Sequence, residues 1–355
     1  MRKTKVVSIG NICIGGSNPT AVQSMCNTQT SNVSATVSQI RALTKVGCEI
    51  VRLSVPDMKS VLALKHIRKS TRIPIVADIH FDYRLAVASA PFVDKLRINP
   101  GNIGKNNIGF VVQAAKKYNI PIRIGVNSGS IEKDLLLRYG QSSRALFESV
   151  RRNVRVIESF GFKDIVISAK ASDVPSTIVV YKMIANEYHY PLHIGVTEAG
   201  TLLYGSIKST LGIGVLLNAG IGNTIRVSLT ENPIKEVEVG FAILQFLGLR
   251  STRREIISCP TCSRTKVDLI GLVKEVEAKT ANLKHPIKIA VMGCAVNGLG
   301  EAKNADIGIA CGDRKGTIFR HGKIISSVPE KELVRELLKE LRCISSGKNA
   351  RKQTN

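Results

Sequence analysis

The run IPIVADIH (residues 73–80) decides the fold. Its first five residues are apolar, and two polar groups, Asp78 and His80, close it. A near-continuous apolar run of this length suits a strand buried on both faces of a parallel sheet. Seven more runs of the same kind surround it. AVQSM (21–25) and CEIVRLSV (48–55) precede it, and VDKLRIN (93–99), IPIRIGVN (120–127), DIVISAKA (164–171), PLHIGVTE (191–198) and NTIRVSLT (223–230) follow. Segments of helical period lie between them. VSATVSQIRALTKVG (33–47) puts Val33, Val37, Ile40 and Leu43 on one stripe and stops at a glycine before the next strand. SRALFESVRRNVRVIESFG (143–161) repeats the pattern. Eight strand–helix units predict a (β/α)8 TIM barrel over residues 1–247, with a doubly wound open sheet as the rival.

Polar residues collect at the ends of these strands. Arg52 lies late in the second, Asp78 and His80 close the third, and Arg97 and Asn99 close the fourth. Arg123 and Asn127 belong to the fifth, Lys170 to the sixth, Thr197 and Glu198 to the seventh, and Arg226 and Ser228 to the eighth. One arginine at such a place is most simply a solvent contact or a core ion pair. A repeated pattern reads as a site, because a barrel brings all eight C-terminal strand ends to one mouth. Guanidinium forks match phosphate oxygens, so the chemistry is anion binding. NPGNIGK (99–105) could add backbone amides to a phosphate.

The bulk numbers are those of an ordinary globular protein. The 355 residues suggest about two domains, and 44% apolar with 22% charged residues is ordinary for a globular chain. Tryptophan is absent and aromatics are 5%, so aliphatic side chains must fill the core. The formal charge of +24 would suit nucleic acid, yet it is spread along the chain with no aromatic-interleaved basic patch. A basic proteome or a phosphorylated substrate, with no nucleic-acid partner, is the preferred reading; an RNA-binding protein is the alternative from another class. The start, MRKTKVVSIG, lacks the apolar core of a signal peptide, and no uncharged apolar run reaches about 18 residues. A cytoplasmic chain without a membrane span is expected, its eight cysteines serving as thiols or metal ligands.

The texture changes near residue 248. Residues 248–343 read as a small α/β domain: CPTC (259–262), a helical stretch (266–281), the strand IKIAVMG (287–293), ADIGIACG (305–312), a hairpin (314–325) and a helix (329–343). Residues 344–355 form a polar tail. Cys294 lies thirty-two positions beyond Cys262. A redox CxxC would open a helix after an early strand, and zinc would need four firm ligands, neither of which is found. The spacing favours an iron–sulfur cluster. Cys13, Cys26 and Cys48 look like packing residues. The candidates for a fourth ligand are Glu301, Cys311, His321 and Cys343. Glu301 follows NGLG, whose glycines let the backbone turn back. A carboxylate holds such a centre weakly, which would leave one iron open to a substrate oxygen.

The stretches VQSMCNTQT, GCEIVRLSVP, VADIHFDYRLA, KLRINPGNIG, GVNSGS, HIGVTEAG, GIGNTIRVSLT, CPTC and GCAVNGLGEA run in order from residue 22 to 302. In them the chain resembles the 4-hydroxy-3-methylbut-2-enyl diphosphate synthases of the short bacterial type. The resemblance implies a barrel followed by a [4Fe–4S] domain, with Cys259, Cys262, Cys294 and Glu301 as ligands. It implies reductive ring opening and dehydration of 2-C-methyl-D-erythritol 2,4-cyclodiphosphate to 4-hydroxy-3-methylbut-2-enyl diphosphate, in the methylerythritol phosphate pathway to isoprenoids. Two electrons would come from flavodoxin or ferredoxin. A homodimer is implied, with the cluster of one subunit facing the barrel of the other. Three positions depart from the family pattern: Cys26 for a usual threonine, Asn32 for a common aspartate, and Cys311 at a glycine-type position.

Roles can be assigned on physical grounds. Arg52, Arg97, Arg123, Lys170 and Arg226 neutralise the diphosphate, with His80, Asn127 and Ser228 as hydrogen-bond partners. Glu198 is the expected proton donor or hydrogen-bond partner to the leaving hydroxyl, and Asp78 is expected to orient His80 or an arginine. A zinc-bearing barrel acting on phosphosugars is the other enzyme reading, separable by elemental analysis.

Overall fold

The computed structural model describes residues 2–281, 283, 285–294, 300 and 302–345. The chain divides after Arg250 into two compact units.

The first unit opens with a feature absent from the sequence reading. Strands β1 (Val7–Ile9) and β2 (Ile12–Ile14) form an antiparallel hairpin turned at Gly10, whose φ of +57° suits a residue without a side chain. Eight parallel strands follow: β3 (Ala21–Met25), β4 (Ile50–Ser54), β5 (Ile75–Asp78), β6 (Lys95–Ile98), β7 (Ile122–Asn127), β8 (Ile165–Lys170), β9 (His193–Ile194) and β10 (Thr224–Ile225). Their spatial order is β8-β7-β6-β5-β4-β3-β10-β9. A parallel bridge between Ile167 and Leu192 joins the two ends, so the sheet closes into the expected TIM barrel. The last two strands are short. At Gly195 the chain passes so close to β10 that a Cβ would lie 2.3 Å from the Arg226 carbonyl oxygen.

Strand alternation sorts the barrel residues. Val51, Leu53, Ile75, Ala77, Leu96, Ile98, Ile122, Ile124, Ile165 and Ile167 face outward into the helical shell, in the main core. The inward faces start with Ala21, Ile50, Val76 and Val166, which pack on Val7, Ile9 and Ile14 of the hairpin. The hairpin therefore gives the N-terminal end of the barrel an aliphatic floor. Above that floor the inner face turns polar, unlike the apolar-on-both-faces strand predicted from the runs.

Helix starts follow local chemistry. Asn32, Asp57, Ser142, Asp173 and Asn232 each accept an N–H from the first turn of the helix they cap. Asn32 accepts from Ala35 at 3.1 Å. Asparagine and aspartate cap about equally well, so this departure from the family pattern costs the fold little. The helix Val33–Lys45 buries Thr36, Val37, Ile40 and Leu43, leaving Val33 at the edge of the stripe.

The second unit is a five-stranded sheet in the order β11 (Glu255–Ser258), β12 (Lys288–Met292), β13 (Ile307–Cys311), β14 (Lys315–Arg320) and β15 (Lys323–Pro329). The first three are parallel and the last two pair antiparallel. Helices Leu269–Thr280 and Leu333–Ser345 share one apolar core with the sheet. The first begins at Leu269 because Asp268 accepts from Gly271 and caps it there. Cys311 is wholly buried in this core, where burial pushes its thiol up to about 12. Among the described residues, no helix is long and apolar enough to cross a membrane.

Candidate active site

The polar inner face is built strand by strand. Arg52, Asp78, Arg97, Arg123 and Lys170 lie on β4 to β8, and Arg226 follows directly on β10. Each shares strand parity with the inward aliphatic floor residues or with an inward polar neighbour. Register brings them level: Arg52 pairs with Val76, Asp78 with Arg97, and Arg97 with Arg123.

Asp78 is the hub. Its carboxylate lies 3.0 Å from Arg97 Nη1, 3.3 Å from His80 Nε2 and 3.7 Å from Arg52 Nε. Burial alone would raise its pKa, but Arg52, the His80 hydrogen bond and Arg97 hold it well below the usual carboxylate range. Arg97 also donates to the Gly125 carbonyl at 3.2 Å. A Cβ at Gly125 would stand 2.5 Å from Arg97 Nε, so the glycine makes room for the guanidinium. His80 is half exposed and sits at the rim, bound inward to Asp78.

Three residues complete the interior beyond those at the strand ends. Lys95 lies two positions before Arg97 on β6, fully buried, and donates to Gln23 Oε1 at 3.4 Å. His193 is buried with Nδ1 2.8 Å from Thr224 Oγ1. Glu236, from the helix Pro233–Phe246, accepts from Ser24 Oγ at 3.0 Å, from Leu229 N at 3.1 Å and from Arg226 Nη2 at 3.2 Å. The parity of Arg97 could have flagged Lys95 as inward-facing. Nothing local marks Glu236.

Six basic side chains thus share the barrel with two carboxylates, and the imbalance shows in their titration. Burial, then the Arg226 and Arg123 charges, pull Lys170 well below its ordinary pKa. Burial followed by Arg123 and Arg52 does the same to Lys95. Burial lowers Arg52 to about 10. His193 is pulled well below its usual value by burial and then by Arg123, so it is a neutral imidazole. Several buried donors have no partner among the described residues: Gln23 Nε2, Arg97 Nε, Arg123 Nε and Nη1, and Arg226 Nε. Buried cations with idle N–H groups are an electrostatic cradle for a polyanion.

Other predicted residues have mixed duties. Asn99 caps the single turn Pro100–Ile103, accepting from Gly101 N at 3.2 Å. Asn127 ends β7 and donates its backbone N–H to Ser130 Oγ at 3.0 Å. Thr197 donates its N–H to the Ala171 carbonyl, tying the loop after β9 to the end of β8. Ser228 is half-buried beyond β10. Glu198 is exposed with φ at +53°, a left-handed conformation that a side chain other than glycine seldom takes.

The cysteines gather at a different edge. Cys259 directly follows β11 and Cys294 follows β12 by two residues; these strands are parallel neighbours, with Ser258 opposite Val291. Their C-terminal ends therefore bring both loops to one side of the sheet. Gly293 donates its N–H to Cys259 Sγ at 3.3 Å. Cys262 is exposed, and a hydrogen bond from the Arg264 backbone lowers its thiol pKa. Soft thiol donors on adjacent loops, with an N–H directed at sulfur, suit an iron–sulfur group. Among the described residues, no three His, Cys, Asp or Glu side chains stand together as a finished ligand set. Glu301 lies outside the described residues.

Comparison with known proteins follows the same division. Residues 4–241 match the GcpE TIM-barrel domain and residues 255–343 the GcpE protein C-terminal domain. A 4-hydroxy-3-methylbut-2-en-1-yl diphosphate synthase (flavodoxin) from Caldanaerobacter subterraneus subsp. tengcongensis is 57% identical over 345 residues, 96% of this chain and 97% of that one. The chain belongs to the 4-hydroxy-3-methylbut-2-en-1-yl diphosphate synthase (GcpE) family. Two further synthases of that name, from Fusobacterium nucleatum subsp. nucleatum and Geobacter sulfurreducens, are 54% and 49% identical. They cover 95% and 98% of this chain, and 96% and 99% of their own lengths are matched. GcpE-type relatives thus run through both the cationic barrel and the cysteine-bearing sheet.

Proposed function

We propose that this chain reductively opens and dehydrates 2-C-methyl-D-erythritol 2,4-cyclodiphosphate to 4-hydroxy-3-methylbut-2-enyl diphosphate, with two electrons passing through a [4Fe–4S] cluster. The observation that carries this is the barrel interior: six basic side chains, four of them buried, two carboxylates and a set of idle guanidinium donors.

Arg52, Arg97, Arg123, Lys170 and Arg226 bind the diphosphate. Opening the ring breaks a carbon–oxygen bond and leaves the electron pair on a phosphate oxygen. The product diphosphate is a monoester with one more ionisable oxygen than the cyclic diester. The fixed arginine cations favour that developing charge without reorganising. Asp78 holds Arg52, Arg97 and His80 in place, and Glu236 does the same for Arg226. The departing hydroxyl leaves as water and needs a proton. Glu198 supplies it or orients its donor; its strained backbone at the mouth supports a functional reading. Asn127, Thr197 and Ser228 complete the polar rim.

Cys259, Cys262, Cys294 and Glu301 would hold the cluster. When bound, it supplies electrons one at a time and an iron that acts as a Lewis acid. The relatives' names specify flavodoxin, and a chain of charge +24 suits an acidic donor protein of that kind. We infer a cytoplasmic homodimer in which one subunit's cluster serves the partner's barrel.

Anaerobic purification tests the proposal. Iron and sulfide near four per chain, with turnover of the cyclic diphosphate under a strong reductant, is the expected result. Zinc in place of iron, or no turnover by the iron-loaded protein, would overturn it.

A further inference from the structure

Beneath the residues assigned to the diphosphate lies a buried base that the reaction as described does not use. Lys95 is 0% exposed. It stands one inward step below Arg97 on β6, beside the aliphatic floor residue Val76 of β5. Among the described residues its side chain makes one hydrogen bond, to a neutral amide, Gln23 Oε1 on β3. Arg123 on β7 and Arg52 on β4 are close enough to repel its charge. Lys170 on β8 and His193 on β9 belong to the same charge cluster. Neither carboxylate answers it: Asp78 is taken by Arg52, Arg97 and His80, and Glu236 by Ser24, Leu229 and Arg226. A buried ammonium without an acid partner is costly, so the group sheds its proton more readily than usual.

We propose that Lys95 is a positioning residue for the diphosphate, uncharged in the free barrel and protonated when the polyanion enters, so that substrate binding takes up a proton. This rests on the proposed diphosphate-binding reading of the barrel. The incoming anion supplies the countercharge the fold withholds. Lys95⁺ then stands beneath Arg123, whose Nε and Nη1 have no partner among the described residues, and adds its field to the bound phosphates.

The test is calorimetric titration of the holoenzyme with inorganic pyrophosphate, in buffers of different ionisation enthalpy, across the pH range from 7 to 10. The comparison is between the native chain and Lys95→Met, which keeps length and removes charge. In the native chain we expect proton uptake on binding and an affinity that falls as pH rises. In Lys95→Met the uptake falls, and affinity near neutrality is lower by on the order of tenfold. As pH rises the two affinities converge, because native Lys95 stays neutral there; a packing defect would leave a constant ratio. Lys170, untouched, supplies any uptake that remains. Equal proton uptake in both proteins, or a ratio that does not change with pH, overturns the inference while leaving diphosphate binding intact. Failure of the native chain to bind pyrophosphate overturns both the inference and the reading beneath it.

Discussion

Replacing Asp78 by asparagine tests the electrostatic logic of the barrel most directly. The substitution keeps size and removes one of two carboxylates facing six basic side chains, four of them buried. Arg97, at 3.0 Å, and Arg52, at 3.7 Å, lose their countercharge while they and Arg123 stay inside. Removing one partner of a buried pair costs about 3–5 kcal/mol, chiefly through the charge left behind. For a unit of this size each kcal/mol moves the melting temperature by about 2–4 °C, so the variant should melt ~6–20 °C lower. Pyrophosphate should then stabilise the variant more than the parent, because the anion takes over the missing role. The pH dependence has a definite sign. Asp78 has a depressed pKa in the folded chain, so its stabilisation is complete above the ordinary carboxylate value near 4 and is lost as pH falls below it. Asparagine should remove that share of acid sensitivity. Differential scanning fluorimetry at several pH values, with and without pyrophosphate, measures all three effects. A variant melting within a degree of the parent, with the same pyrophosphate shift, would refute the view of Asp78 as the counter-ion of this cluster.

Further substitutions probe other parts of the site. Gly125→Ala places a methyl where Arg97 Nε would be 2.5 Å away, so substrate KM should rise on the order of tenfold or more, with the fold intact by circular dichroism; an unchanged KM would show that Arg97 has another resting place. Glu198→Gln should lower kcat by about 10²-fold or more while pyrophosphate affinity survives, and unchanged turnover removes its role in proton supply. Cys294→Ser should give a colourless protein poor in iron and sulfide, and a full cluster content would point to another ligand set. Mixing Cys294→Ser subunits with Arg123→Met subunits should restore part of the turnover through hybrid dimers; no recovery would argue against a cluster serving the partner's barrel.

Much of this protein was legible along the chain, because periodicity and spacing are local properties. Eight β-branched runs with helical segments between them favoured a barrel over an open doubly wound sheet, and the barrel is present. Half of the polar positions picked out at the strand ends, Arg52, Asp78, Arg97, Arg123, Lys170 and Arg226, share the inward parity of its strands. The cysteine spacing marked Cys259 and Cys294 as neighbours, and they lie on one side of the sheet because each follows a strand and parallel neighbours end on the same side. Other features depend on contacts between residues far apart in sequence. The short strands around Gly10 carry too little pattern to announce that they plug the barrel floor. Lys95 is an unexceptional lysine before LRIN until strand parity turns it inward among arginines. Glu236 reads as an exposed helix residue, yet closure of the barrel places it against Ser24, 212 positions away, and against Arg226. A one-dimensional pattern can assign a face to a side chain; the charges it will meet there are chosen only when distant strands close around it.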